Sequence, residues 1–180
     1  LPKAELHVYG AYASQKVNQL HNDKEGFLIK GFAEDVNVVM QNARVCLAPI
    51  RFGAGLKGKL VDAMKNGTPC VTTSIGAEGM FGHIEPNGFI EDNPKLFSNK
   101  AIALFQNETI WKAKAENGFD LINQRFNKIK KQQKLIGFVK ETTQQLKQHR
   151  LNNFTGQMLH HHMLQSTKFM SKWIEEKNKS

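Results

Sequence analysis

Residues 45–80, VCLAPIRFGAGLKGKLVDAMKNGTPCVTTSIGAEGM, limit what this chain can fold into more than any other stretch. An apolar run leads into a loop carrying Gly53, Gly55 and Gly58, then an amphipathic stretch, then Gly67, Pro69 and a second apolar run. Glycine just past a helix and proline shortly after it stop the helix. Strand, glycine loop, helix and strand in that order build a parallel pair, because parallel strands need a crossover and the crossover is usually a helix.

The same alternation begins at Leu6. Strands are expected at 6–9, 27–30, 45–50 and 70–73, with helices at 14–21, 34–42 and 56–66 between them. Beyond Phe89 the strand signals fade, and 94–106, 108–126, 128–150 and 154–177 read as successive helices. The expected fold class is therefore α/β: a Rossmann-like parallel sheet with flanking helices, followed by a helical C-terminal tail. Residues 1–126 make the first expected domain and 127–180 a basic helical extension.

A content of 40% hydrophobic and 23% charged residues over 180 positions is that of an ordinary globular chain. No run of about 18 apolar residues is present, so nothing reads as a bilayer span. The start, LPKAELHV, has neither the basic-then-apolar pattern of a secretion signal nor an initiating Met, and the chain is expected to be cut from something longer. Cys46 and Cys70 sit in apolar runs and read as buried core thiols, which fits a reducing, cytoplasmic compartment.

The net charge of +9 is unevenly placed. Residues 1–125 hold 14 Lys and Arg against 13 Asp and Glu, whereas residues 126–180 hold 11 against 3. A basic patch over a whole domain would suggest nucleic acid; charge confined to a tail does not, and no nucleic-acid partner is expected. A nucleic-acid binder acting through the tail would keep steeply salt-dependent binding after deletion of 1–125. The tail reads either as a solvated helical face or as a peripheral contact with the inner face of a membrane. In its last helix Phe154, Met158, His162, Phe169 and Trp173 fall within about 100° at the helical period, a stripe that needs cover from the rest of the chain, another domain or a membrane. His160, His161 and His162 point about 100° apart in turn and cannot converge on one ion, so no metal is expected there.

The loop carries the chemistry. Gly53, Gly55 and Gly58 let the backbone approach a ligand, and the helix behind them offers unpaired N–H groups at its positive end, where anions bind. Arg51, Lys57 and Lys59 add three cations around the same point. The structural alternative is a tight turn with solvated lysines. Asp62 follows Gly58 by four residues, one turn along the same face, and leans back toward the loop. Its carboxylate is placed to accept hydrogen bonds from ribose hydroxyls, or else to pair with Lys59 or Lys65.

Two further motifs fit the same letters. Gly53-Ala54-Gly55-Leu56-Lys57-Gly58 matches the dinucleotide fingerprint G-x-G-x-x-G, but that reading wants an acid at the end of the next strand, which closes with Thr72, Thr73 and Ser74. Glu78 lies beyond it. Gly53 to Lys59 also matches the phosphate loop G-x-x-x-x-G-K, where the next position should hold a hydroxyl residue and instead holds Leu60.

The run GFAED at 31–35, then APIRFGAGLKGKLVDAMKNGTPCVTT and GAEGM, resembles the C-terminal domain of family 4 glycosyltransferases, enzymes of the two-domain GT-B architecture. The likeness covers residues 6–89. It implies a domain that binds a nucleotide diphosphate sugar, with Gly53, Ala54, Gly55, Leu56, Gly58 and Lys59 contacting the donor. Asp62 matches the second acid of the family's Glu-x7-Glu motif, which holds ribose hydroxyls; it is shortened here from Glu, and Ala54 stands where the first acid should be. Members with an Arg-x-Gly-x-Gly-x-Lys-type loop are more similar. In them Arg51, Lys57 and Lys59 would neutralise the diphosphate leaving group, the role left to electrostatics when no metal is used. Gly76 to Gly79 looks like the family's short loop facing the transferred sugar, with Glu78 reading either as a partner for its hydroxyls or as a plain acid at a helix N-terminus.

The resemblance further implies a strand and helix that open the family's domain ahead of the segment matched here, expected to be missing from this chain, and an acceptor site in an N-terminal domain. The resemblance thus implies the donor-binding half of a retaining, metal-independent glycosyltransferase without cofactor, moving a sugar to a glycan or lipid-linked acceptor in polysaccharide biosynthesis. Its partners would be the donor and the acceptor-binding domain of the same full-length protein, and this chain alone is expected to transfer nothing. Two readings stay beside it: a non-catalytic sugar-nucleotide-binding module, and an NAD-binding oxidoreductase domain built on the same glycines.

Overall fold

A computed structural model describes residues 4–179, apart from the side chains of residues 161–164. Five parallel strands lie in the first half: β1 (Leu6–Tyr9), β2 (Phe27–Gly31), β3 (Cys46–Ala48), β4 (Cys70–Thr72) and β5 (Gly88–Ile90). Between and after them come α1 (Gln15–Asn18), α2 (Val36–Asn42), α3 (Gly58–Lys65), α4 (Ser74–Ala77), α5 (Pro94–Gln106) and α6 (Glu108–Arg125). The chain divides into two compact units, Leu1–Asn127 and Lys128–Ser180.

The parallel α/β character expected from the sequence is present, but the strands form two sheets. β1 pairs with β2, Leu6 opposite Phe27, and β3, β4 and β5 pair in that order, with Cys46, Cys70 and Gly88 in register. β1 and β2 bury only Leu28, so little apolar surface draws them against β3. β5 is a strand that the apolar pattern does not announce. It is three residues long, begins with glycine and is made a strand by backbone bonds to its neighbour, Cys70 N–H to the Asn87 carbonyl at 3.0 Å and Glu91 N–H to the Thr72 carbonyl at 2.8 Å.

α3 is the pivot of the core. Its Leu60, Ala63 and Met64 are fully buried, packed with Cys46, Ala48, Cys70, Met80, Phe81 and Leu121, and burying a side chain of the size of Leu60 stabilises by about 1.5–3 kcal/mol. α3 lies against α6, where a Cβ at Gly118 would come within 3.3 Å of the Met64 backbone. It ends as Gly67 and Pro69 foretell. Gly67 takes φ 69°, its N–H reaches the Met64 carbonyl at 3.2 Å, and Thr68 N–H reaches Ala63 at 2.9 Å, a paired closure that satisfies the last carbonyls.

Cys46 and Cys70 are both buried and free, as expected. Burial pushes the Cys70 thiol well above its ordinary range, and the hydrogen bond between the two thiols lowers that of Cys46.

The second unit consists of α7 (Lys128–Gln144), α8 (Leu146–Asn152) and α9 (Phe154–Lys177). The single helix expected over 128–150 is interrupted at Gln145. Near that point Thr143 donates its hydroxyl to the Val139 carbonyl at 2.8 Å, the back-bond that threonine forms one turn along a helix. Among the described residues of this unit none is buried. Phe154, Met158, Phe169 and Trp173 are exposed, so the unit itself does not cover the stripe on α9; the side chains of His161 and His162 lie outside the described residues. No described helix is long and apolar enough to cross a membrane.

Candidate functional site

β3 stops at Ala48, and the chain leaves the sheet through Pro49 and Ile50 into the glycine loop. Gly53 takes φ 142° and Gly55 φ 70°, conformations that other residues rarely adopt, and a Cβ on either would meet nothing within 4 Å. Glycine is required here by the backbone, not by crowding. The turn at Gly55 also explains why α3 starts at Gly58 and not at 56: the chain is out of helical space until the extended Lys57 caps the helix.

Lys57 takes a part that its charge alone does not reveal. It is 8% exposed, and its ammonium points back into the loop, donating to the carbonyls of Gly55 at 2.8 Å and Gly53 at 3.3 Å. A trans peptide directs its C=O and the following N–H oppositely, and the described chain has no cis bond. Holding those two carbonyls inward therefore turns the N–H groups of Ala54 and Leu56 outward. No side chain caps α3. Among the described residues, the N–H groups of Gly53, Ala54, Gly55, Leu56, Gly58 and Lys59 have no hydrogen-bond acceptor; that of Lys57 meets only the Met80 sulfur, at 3.5 Å. The loop thus presents a cluster of unpaired donors at the positive end of a helix.

Arg51 and Lys59 stand exposed beside these donors, neither in an ion pair or hydrogen bond among the described residues, and with Phe52, Leu47, Ala48, Pro49 and Ile50 they line an open depression of about 440 Å³. Phe52, 87% exposed, is a lining residue that the sequence reading passes over. Asp62 is half-buried one turn into α3. Neither Lys59 nor Lys65 pairs with it: Lys65 donates instead to Asn37 at 3.3 Å, and the Asp62 carboxylate has no partner among the described residues.

The loop after β4 is tied to the first at both ends. The Thr73 hydroxyl donates to the Ile50 carbonyl at 2.5 Å and accepts from Gly76 N–H at 3.1 Å, and Met80 meets the Lys57 amide. Gly76 is buried because α4 sits on the end of β4, and a Cβ there would overlap the Thr72 hydroxyl. Glu78 is exposed and follows the last residue of α4, so the expected alternative of an acid at a helix N-terminus is not what the chain forms. Arg125, at the end of α6, fixes the segment after it, with Nη2 donating to the Gly79 carbonyl at 3.0 Å and Nε to that of Met80 at 3.1 Å. Asp92 accepts from both the amide and the hydroxyl of Ser74, at 2.9 and 3.1 Å. No local signal marks Arg125 or Asp92, because the groups they hold are 46 and 18 residues away.

Residues 1–107 match the family described as glycosyl transferases, group 1. The crystal structure of TarM superposes with a TM-score of 0.61 at 15% identity, covering 76% of this chain and 28% of TarM. The crystal structure of Anabaena Alr3699/HepE in complex with UDP-glucose superposes with a TM-score of 0.64 at 18% identity, covering 78% of this chain and 42% of that one. The chain thus spans less than half the length of either solved relative, and at these identities the likeness is one of fold. No curated protein matches in sequence.

Proposed function

Because this chain belongs to the group 1 glycosyl transferases, we propose that it is the donor-binding half of a retaining, metal-independent glycosyltransferase that moves a sugar from a nucleotide diphosphate sugar to a glycan or lipid-linked acceptor. The observation that carries this reading is the set of unpaired N–H groups of Gly53 to Leu56, Gly58 and Lys59, those of Ala54 and Leu56 turned outward, beside Arg51 and Lys59. A diphosphate placed there accepts from backbone donors at the helix N-terminus and lies next to two cations. When the bond to the sugar breaks, negative charge grows on the departing diphosphate, and donors already aimed at it lower that barrier without reorganising. Lys57 serves by holding Gly53 and Gly55 in place and by adding its charge behind the loop. The unpartnered Asp62 carboxylate accepts from the ribose hydroxyls, and Glu78 accepts from hydroxyls of the sugar.

The relative solved with UDP-glucose supports a nucleotide sugar as donor. Transfer is assigned to a polypeptide that also carries an acceptor-binding half, residues 1–126 supplying the donor site and 127–180 a basic extension, with the cytoplasm as the compartment. Ala54, at the position of the family's first acid, favours a second reading, a sugar-nucleotide-binding module without turnover; transfer by such a longer polypeptide separates the two.

Calorimetric titration with UDP, GDP, ADP, NAD and pyrophosphate tests the site. One nucleoside diphosphate is expected to bind, and Lys59→Ala and Asp62→Ala to weaken it. Binding of NAD alone would replace the transferase reading with the redox one.

A further inference from the structure

The helices after Asn127 carry a surface of their own, independent of donor binding. α7 has no buried residue. At 100° per residue its Leu135, Val139, Ile136 and Ile129 fall on one arc of about 120°. All four are more than half exposed. Lys128 falls within that arc and Lys131 and Lys140 flank it on its two sides, while Glu141, the one acid of the helix, lies opposite between Lys130 and Lys134. Most helical stability in proteins comes from packing an amphipathic face, and α7 is further weakened by Gly137 in its middle and two threonines near its end. The arc needs an occupant.

Charge selects which one. Residues 128–180 hold 11 Lys and Arg against 3 Asp and Glu, a net of +8, while 1–127 is near balance. A second copy of this unit brings the same positive field and is repelled; a negatively charged surface is attracted. α9 adds exposed Phe169 and Trp173, with the Lys177 ammonium 5.2 Å from the Trp173 ring, the mixture of aromatic and basic side chains found where protein meets the headgroup layer. Since no described helix can cross a bilayer, such contact is with the surface only.

We propose that the Lys128–Ser180 unit docks on an anionic lipid surface through α7, with Leu135, Ile136 and Val139 entering the headgroup boundary and Lys131 and Lys140 meeting lipid phosphates.

The test is co-sedimentation of the full chain with vesicles of phosphatidylcholine alone and of phosphatidylcholine mixed with phosphatidylglycerol, at low and high salt. The chain is expected on the mixed vesicles only, and to leave them as salt rises. Leu135→Asp with Ile136→Asp removes binding. Lys131→Gln with Lys140→Gln weakens it about 25-fold, at about fivefold for each charge removed near the surface. Glutamine keeps the helix propensity of lysine, so that pair reports even if the aspartates unwind α7, which far-ultraviolet circular dichroism reveals. Equal binding to neutral and mixed vesicles, or none to either, overturns the proposal. So does self-association in gel filtration that the aspartates abolish, or a preference for duplex DNA or RNA over mixed vesicles.

Discussion

The loop after β3 and the loop after β4 leave adjacent parallel strands, and each turns into a helix through glycines. In the first, Gly53 and Gly55 face open space and are demanded by positive φ; in the second, Gly76 is helical and is demanded by the Thr72 hydroxyl against which it packs. Each loop is braced by one cation. Lys57 grips the first from within, on the carbonyls of Gly53 and Gly55, and Arg125 grips the second from another helix, on those of Gly79 and Met80. The difference separates two tasks that glycine can serve: shaping a backbone so that its donors face a ligand, and letting one element lie close on another.

Gly76→Ala is the harshest test of that distinction. A methyl group forced against β4 should lower unfolding stability by about 3 kcal/mol, read from urea denaturation, because the packed strand end cannot yield. Removing the braces comes next. Arg125→Ala and Lys57→Met each strip two carbonyls of a charged donor and should cost about 2 kcal/mol, but only Lys57→Met should also abolish nucleoside diphosphate binding. Gly55→Ala should cost about 1 kcal/mol, the strain of a left-handed residue without a clash, while weakening the ligand more than the fold. A loss in Gly55→Ala as large as in Gly76→Ala would erase the contrast between the loops.

The smallest effect lies outside both loops. Asp35 caps α2, and the N–H of Asn37 at 2.8 Å holds its carboxyl below the ordinary 3.8. A depressed folded value means that its contribution is present above 3.8 and fades as pH falls through the lower folded value. The stability gap between the native chain and Asp35→Ala should therefore be wider at neutral pH than in acid, and an unchanged gap would show that charge is irrelevant to the cap.

What the sequence disclosed was local. The glycines after β3, the stop at Gly67 and Pro69, and the amphipathic α3 all lie within a few residues of what they determine, so the strand, loop, helix and strand could be read directly. What it concealed depends on contacts made across the chain. β5 exists because β4 offers its backbone, Arg125 reaches carbonyls 45 and 46 residues earlier, and the inward turn of Lys57 follows from a loop conformation that composition does not encode. The same lysine read as a ligand-facing charge in the sequence becomes a brace in the folded chain, leaving Arg51 and Lys59 as the cations that face outward.

The most direct measurement is the amide chemical shifts of the chain as UDP, and then pyrophosphate, are added. The donor-site assignment predicts that the N–H signals of Ala54, Leu56, Gly58 and Lys59 move first and saturate, that those around Glu78 respond less to either ligand, and that Lys59→Ala weakens the effect. Signals that stay fixed at 53–59, or that move only among the lysines of 128–179, would contradict it.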